Sequence, residues 1–305
     1  MRHIHFVIAT LLASSLFAQT SLQRPHIFGI AHVAFRISDL GKAGNFYEGL
    51  LGYREPFSIK STDGSVAIKF IKVNDTQYVE LFPGSPVARG QLDHFALYTD
   101  DLTAMKEYLL SRAVPIVEDI HRGRTGNSFL TVKDPDGHPI EIVQYSPTSL
   151  TAKAKGKFMP ENRVSGQITH VGIMVASVGS ATRFYRDVLG FHEFSRGGTS
   201  GGHLGWVNLR APDGTDYVEF IPYSGLPSPE QLRAQNHVGL RSSDVSRTVA
   251  ALRALPAAGI LATTPTLEDE GNLPRRVNLF DPDGARVEIM EPISEGILPA
   301  GSLSP

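Results

Sequence analysis

Ile30-Ala-His-Val-Ala-Phe-Arg-Ile-Ser-Asp-Leu40 returns 138 residues later as Ile168-Thr-His-Val-Gly-Ile-Met-Val-Ala-Ser-Val178. The match continues at the same offset through Phe46-Tyr47 and Phe184-Tyr185, then through Leu51-Gly52-Tyr53 and Leu189-Gly190-Phe191. A second pair of segments, Leu92-Asp-His-Phe-Ala-Leu97 and Gln235-Asn-His-Val-Gly-Leu240, lies between and after them. Each of these runs on to Asp-Pro-Asp-Gly and then a glutamate, at 134–141 and at 281–288. Self-similarity of this kind marks a structural unit that has been copied. The chain reads as four modules, A, B, A′ and B′, in two halves.

Each module opens with a short strand that alternates around its histidine, with Ile30, His32 and Ala34 on one face and Ala31, Val33 and Phe35 on the other. An amphipathic helix follows. In module A it opens at the N-cap pair Ser38-Asp39 and stops at Gly52, with Phe46 and Leu50 turned to a sheet. In module B the pattern predicts a helix from about Asp101 to Arg112, ended by Pro115. Three strands then close the unit, and Asp134-Pro-Asp-Gly137 and Asp281-Pro-Asp-Gly284 suit type I turns between the last two. The predicted fold is α+β, four βαβββ modules paired into two domains. The modules span 27–88 and 91–146 in the N-terminal domain, and 167–223 and 235–292 in the C-terminal one. A linker rich in Lys, Pro and Gly covers 147–166, and a tail covers 293–305.

Composition bounds the function. With 305 residues and 41% hydrophobic content, two compact cores are affordable. The formal charge is −2, with 29 Lys and Arg interspersed among 31 Asp and Glu. No basic stripe exists to bind nucleic acid. Cysteine is absent, which excludes disulfides, iron–sulfur clusters and thiolate zinc, so any metal must use nitrogen and oxygen ligands. Arg2, the apolar run from Ile4 to Phe17 and Ala18 predict a signal peptide over 1–18 and a secreted or periplasmic protein. The run is too short and interrupted for a membrane span, so no membrane partner is expected after cleavage.

Every module places a histidine in its first strand and a glutamate in its last. These are His32, Glu80, His94 and Glu141 in the N-terminal half, and His170, Glu219, His237 and Glu288 in the C-terminal half. Four of the eleven histidines thus occupy one repeated position. Buried carboxylates without a cation are costly, so eight matching positions point to metal rather than coincidence. Two imidazoles and two carboxylates around a divalent ion make a neutral site with room for water or substrate. Tyr78 shares a face with Glu80, Tyr217 with Glu219, Arg36 with His32 and Arg241 with His237. These four residues are therefore candidate substrate contacts. Trp206 reads by default as core packing, while Arg122, Arg124, Asn127, Asn272, Arg275 and Arg276 precede the B-type turns, where they could shape substrate choice but read first as solvated loop residues.

The pattern His-x3-Arg-x2-Asp-Leu…Phe-Tyr…Leu-Gly followed by Asp-Pro-Asp-Gly-x3-Glu resembles the glyoxalase/bleomycin resistance protein/dioxygenase family, the vicinal oxygen chelate superfamily. The resemblance covers about Ile27 to Pro292. It implies paired βαβββ modules forming U-shaped sheets around one or two divalent ions per chain, drawn from Fe, Ni, Co, Mn or Zn. It also implies a small-molecule substrate whose adjacent oxygens chelate the metal. The glyoxalase I branch uses the full His/Glu/His/Glu set. By that resemblance Glu141 and Glu288 become the catalytic bases, Glu80 and Glu219 the opposing ligands, and Arg36 an anion contact. Gly84 and Met174 depart from that branch. The extradiol dioxygenase branch implies an iron site at His170, His237 and Glu288, but Asn236, Asn278 and the extra Glu219 depart from it. A non-catalytic, bleomycin-resistance-like binding protein is the third reading. The expected enzyme is a metal-dependent lyase or isomerase, monomeric or a homodimer.

Overall fold

The structure, a computed structural model, describes residues 22–85, 90–198, 202–256, 259, 261, 263–270 and 273–293. The expected signal at 1–18, Asn272 and residues 294–305 lie outside them. Module A comprises β1 (Gly29–Ile37), α1 (Leu40–Gly44), β2 (Arg54–Lys60), β3 (Val66–Lys72) and β4 (Tyr78–Pro83). Module B comprises β5 (Leu92–Tyr98), α2 (Leu102–Ser111), β6 (Glu118–Arg122), β7 (Ser128–Lys133) and β8 (Pro139–Gln144). After α3 (Leu150–Lys153), module A′ follows with β9 (Ile168–Val175), α4 (Val178–Thr182), β10 (His192–Gly198), β11 (Leu204–Arg210) and β12 (Tyr217–Pro222). Then come α5 (Pro229–Gln235), β13 (His237–Arg241), α6 (Val245–Ala254), β14 (Arg276–Phe280) and β15 (Arg286–Met290). The fourth module departs from the expected βαβββ. Among the described residues its second strand is reduced to a single bridge, Glu268 to Arg276.

Two mixed sheets result, ordered β2-β3-β4-β1-β5-β8-β7-β6 and β10-β11-β12-β9-β13-β15-β14. Within a module the first and last strands run parallel, as a helical crossover requires. Modules join antiparallel at the centre, β1 to β5 and β9 to β13. The face carrying α1 and α2 holds the main core, which includes Val33, Phe35, Phe46, Leu50 and Met105. Strict alternation along β1 fails at one point. A register shift between Ile30 and His32 reverses the faces, so Ile30 joins that core and Ala31 packs with Ala96 and Val143 instead. An inserted bulge residue has this effect.

The helix signals hold locally. Asp39 accepts from the Gly41 and Lys42 amides, and Asp101 caps α2 by accepting from Ala104. In both halves the first helix widens into a π-helical turn, Asn45–Leu50 and Arg183–Val188, before a glycine with positive φ, Gly52 or Gly190. The two Asp-Pro-Asp-Gly turns close with Gly137 and Gly284 donating to Asp134 and Asp281.

Those turns also tie the halves together. Tyr47 donates to Asp281 Oδ2 at 3.4 Å, and the equivalent Tyr185 donates to Asp134 Oδ2 at 3.1 Å. Near the start of β1 and β9 the Ile30 amide donates to Asp216, and the Ile168 amide to Gln77. Gln77 in turn donates to Asp216 at 3.0 Å. The 147–166 linker is not a loose tether. Fully buried Lys72 donates to the carbonyls of Ala154 and Lys157, and Asn127 donates to Thr151.

Candidate metal centres

Four adjacent strands build each site. Ala34 of β1 pairs with Glu80 of β4 and His94 of β5, while Ala96 pairs with His32 and with Glu141 of β8. These registers put the two histidines diagonally across the central pair with a glutamate on either side. In the second sheet Gly172 pairs with Glu219 and His237, and Gly239 with His170 and Glu288.

The side chains converge. His32 Nε2 and His94 Nε2 lie 3.1 Å apart, and Glu141 is 3.4 Å from the first and 3.5 Å from the second. His170 Nε2 and His237 Nε2 lie 2.9 Å apart, with Glu288 Oε2 at 3.2 and 3.7 Å. Within each triad the ligand atoms fall within 4.8 Å of one another, so both triads could hold a metal ion. Bonds of about 2.1 Å to a shared ion, meeting near a right angle, separate two nitrogens by about 3 Å, which matches both pairs. Glu80 and Glu219 are brought to the same cavities but stand outside the triads. Glu80 Oε1 is 3.3 Å from Nδ1 of His32, and Glu219 Oε1 is 3.9 Å from His237 Nε2.

Surrounding groups fix the imidazoles. His94 Nδ1 lies 2.8 Å from Asp93 Oδ2, and Arg36 Nε donates to the other oxygen of Asp93 at 2.6 Å. His237 Nδ1 lies 2.7 Å from the Gln235 carbonyl. The Asp93 contact holds a proton on His94 Nδ1 and leaves its Nε2 lone pair for the triad, the usual way an outer partner sets a ligand tautomer, whereas His237 Nδ1 also faces Arg286 Nη2 at 2.5 Å. Burial, reinforced by Arg286, pushes His237 down to about 3, so it is neutral as a ligand must be. The carboxylates divide in the same way in both halves. Burial raises Glu80 to about 8 and raises Glu219. Burial also acts on Glu141 and Glu288, but the facing histidines outweigh it and hold both below the usual range.

The four expected substrate contacts scatter. Tyr78 lines the N-terminal cavity, its buried hydroxyl unpartnered. Tyr217 stacks on His170 at 4.6 Å and 16°. Arg36 is committed to Asp93 and lies over Phe82, and Arg241 faces a groove between the halves and donates to Gln167. Asn127 and Arg275 line the N- and C-terminal cavities, the first bonded to Thr151 and Ser146, the second to Glu291 and Ser246. Trp206, read as core, instead lines the C-terminal cavity, and Gly197 gives it space, since a Cβ there would sit 2.0 Å from the indole. Neither Asp93 nor Arg286 belongs to the repeated His/Glu pattern. The only signal for Asp93 was its place beside His94.

The cavities differ in their walls. The N-terminal one, about 330 Å³, is lined by Ile59, Ile68, Phe70, Phe82 and Phe129 beside its ligands. The C-terminal one, about 620 Å³, is lined by Asn208, Glu268, Arg276, Asn278 and Arg286.

Comparison with known proteins agrees with this architecture. Residues 29–142 and 167–289 match the model of the Glyoxalase/Bleomycin resistance protein/Dioxygenase superfamily. Human mitochondrial methylmalonyl-CoA epimerase is 27% identical over 126 residues, 37% of this chain and 72% of that protein. The fold resembles the 2,3-dioxygenase LapB of Pseudomonas sp. KL28, with TM-score 0.66 and 15% identity over 90% of this chain and 96% of that one. It resembles equally the Mn(II)-bound glyoxalase of Novosphingobium aromaticivorans, with TM-score 0.66 and 16% identity over 89% of this chain and 84% of that one. With both copies of the unit matched, the chain belongs to the glyoxalase/bleomycin resistance protein/dioxygenase superfamily.

Proposed function

We propose that this protein is a metal-dependent lyase or isomerase that moves a proton on a small substrate with two adjacent oxygens. The observation that carries this reading is the fourth side chain of each cavity. Glu80 is buried and Glu219 half-buried against a His/His/Glu triad, and among the described residues neither has a cationic side chain at ion-pair distance, other than a histidine of the triad, to offset the charge of an ionised carboxylate. A divalent ion, when bound, would offset that charge and stabilise negative charge on the substrate oxygens. The histidines of each triad would hold it through the converging Nε2 atoms. The resemblance gives the proton to Glu141 and Glu288. Glu80 and Glu219 stand outside the triads on the opposite side, where a second carboxylate can take the proton up.

The second reading, ring cleavage by Fe(II), is favoured by one observation: three side chains converge in each triad, two histidines and one carboxylate, which is the ligand set of non-haem iron oxygenases. The test is metal content followed by assay. One to two divalent ions per chain are expected, with His94→Ala emptying the N-terminal site and His237→Ala the C-terminal one. Turnover of an α-hydroxycarbonyl compound without oxygen uptake supports proton transfer. Oxygen uptake with a catechol panel on anaerobically iron-loaded protein supports ring cleavage. Parental metal content in both variants would overturn the ligand assignment.

A further inference from the structure

The two cavities share one ligand set and little else. Arg286, two residues before Glu288 on β15, has Pro139 as its counterpart on β8, since both sit two places before the triad glutamate. Its Nη2 lies against the His237 imidazole at the heart of the site, 2.5 Å from Nδ1 and 3.0 Å from Nε2. Its Nε is buried and without a hydrogen-bond acceptor. Among the described residues no carboxylate lies within ion-pair distance of it, whereas neighbouring Arg276 is held at 2.8 Å by Glu268 and at 2.8 Å by Glu270. A half-buried guanidinium with a donor left over and no anion beside it is expensive to keep.

The same cavity also holds spare acceptors. Asn208, 1% exposed, has an Oδ1 with no partner, and so has Asn278, whose Nδ2 is fixed by donation to Glu268 at 2.8 Å. The N-terminal counterparts of Asn208 and Arg276, read from the strand registers, are Phe70 and Phe129. One site therefore offers a cation with no anion beside it and two spare acceptors, and the other offers aromatic walls.

We infer that the C-terminal cavity is specific for a small α-hydroxycarboxylate, with Arg286 holding its carboxylate and one of the two spare acceptors, Asn208 Oδ1 or Asn278 Oδ1, accepting from its hydroxyl. The N-terminal cavity, with Pro139 and Phe70 at the places of Arg286 and Asn208, Phe129 at that of Arg276, and Thr131 at that of Asn278 bonded to Glu118, takes a less polar, aromatic ligand. This deepens the proposal of a substrate with adjacent oxygens, and it is tested without metal so that the two can fail separately.

Trp206 is the sole tryptophan of the chain and lines the C-terminal cavity, so its fluorescence reports that site alone. Chelator-treated full-length protein, with its metal content verified, is titrated with glycolate. A saturable change in Trp206 emission is expected, reduced about tenfold or more in affinity by Arg286→Gln, as loss of a charge-assisted contact implies. Should Arg286→Gln not fold by circular dichroism, glycolamide on the parent protein supplies the same comparison, because it keeps the hydroxyl and lacks the charge. Affinity for glycolamide at least tenfold below glycolate supports the assignment. No response to glycolate, or equal affinity for glycolamide or in a folded Arg286→Gln, overturns it. Failure of the metal proposal would appear instead as absent metal uptake with glycolate binding intact.

Discussion

At the scale of single residues the site depends on side chains that are missing as much as on those present. His170 and His237 are fully buried, while His32 and His94 retain 7% exposure. The cause is the residue opposite. Each C-terminal histidine lies across a glycine of the neighbouring strand, where the N-terminal pair faces Ala96 and Ala34. A Cβ built on Gly172 would sit 1.9 Å from His237 Cε1, and one on Gly239 equally close to His170. Gly172→Ala is therefore expected to force the His237 imidazole aside, at about 1–3 kcal/mol of stability. Metal content should fall towards the N-terminal site's share alone, read by elemental analysis of Gly172→Ala beside the parent. Unchanged C-terminal loading would show that the imidazole has room the structure does not give it. The histidines and glutamates themselves were legible in the sequence because a repeat exposes them twice over. The glycines were not, because a missing Cβ has meaning only once the facing strand is known.

At the scale of elements, the Asp-Pro-Asp-Gly turns were readable as turns, since Pro and Gly dictate local backbone, but not as fasteners. Asp281 accepts from its own turn's amides, at Asp283 and Ala285, and from Tyr47 of the other half. Burial raises its carboxyl to about 6. The folded protein thus binds the proton more tightly than the unfolded chain, whose value lies near 3.8. The stability this gives is complete below the unfolded value and is lost as pH rises through about 6, up to about 3 kcal/mol for a difference of this size. Asp281→Asn keeps the shape and removes the proton. Its chemical denaturation should depend less on pH between 4 and 6 than the parent's, and the variant should gain relative stability towards pH 7. Parallel pH profiles for the two proteins would contradict this account. The reversed faces at the β1 bulge and the reduced fourth module escaped sequence reading for the same reason. Periodicity registers regular strands, and a register shift or a bridge is decided by the partner strand.

For the whole molecule, duplication was plain in the sequence, and the arrangement of the halves was not. A core cluster containing residues of both halves, two tyrosine–aspartate bonds and a linker held by Lys72 make the halves mutually dependent. Heat or denaturant should unfold the described body in one transition, with calorimetric and van't Hoff enthalpies equal. Two resolved transitions would show that each half stands alone. The expected export signal is tested separately by sequencing the mature N-terminus, which should begin near Gln19. Between the halves, Gln77 and Asp216 occupy equivalent places and bond to each other across the pseudo-twofold axis. A true homodimer must repeat whatever residue it has on such an axis, and two aspartates there would repel while two glutamines would lack the carboxylate that receives three donors. Unlike residues can face each other across such an axis only when its two sides are not copies of one sequence. Fusion thus freed each half from mirroring its twin, and two unlike cavities in one polypeptide are an outcome that no assembly of identical subunits could reach.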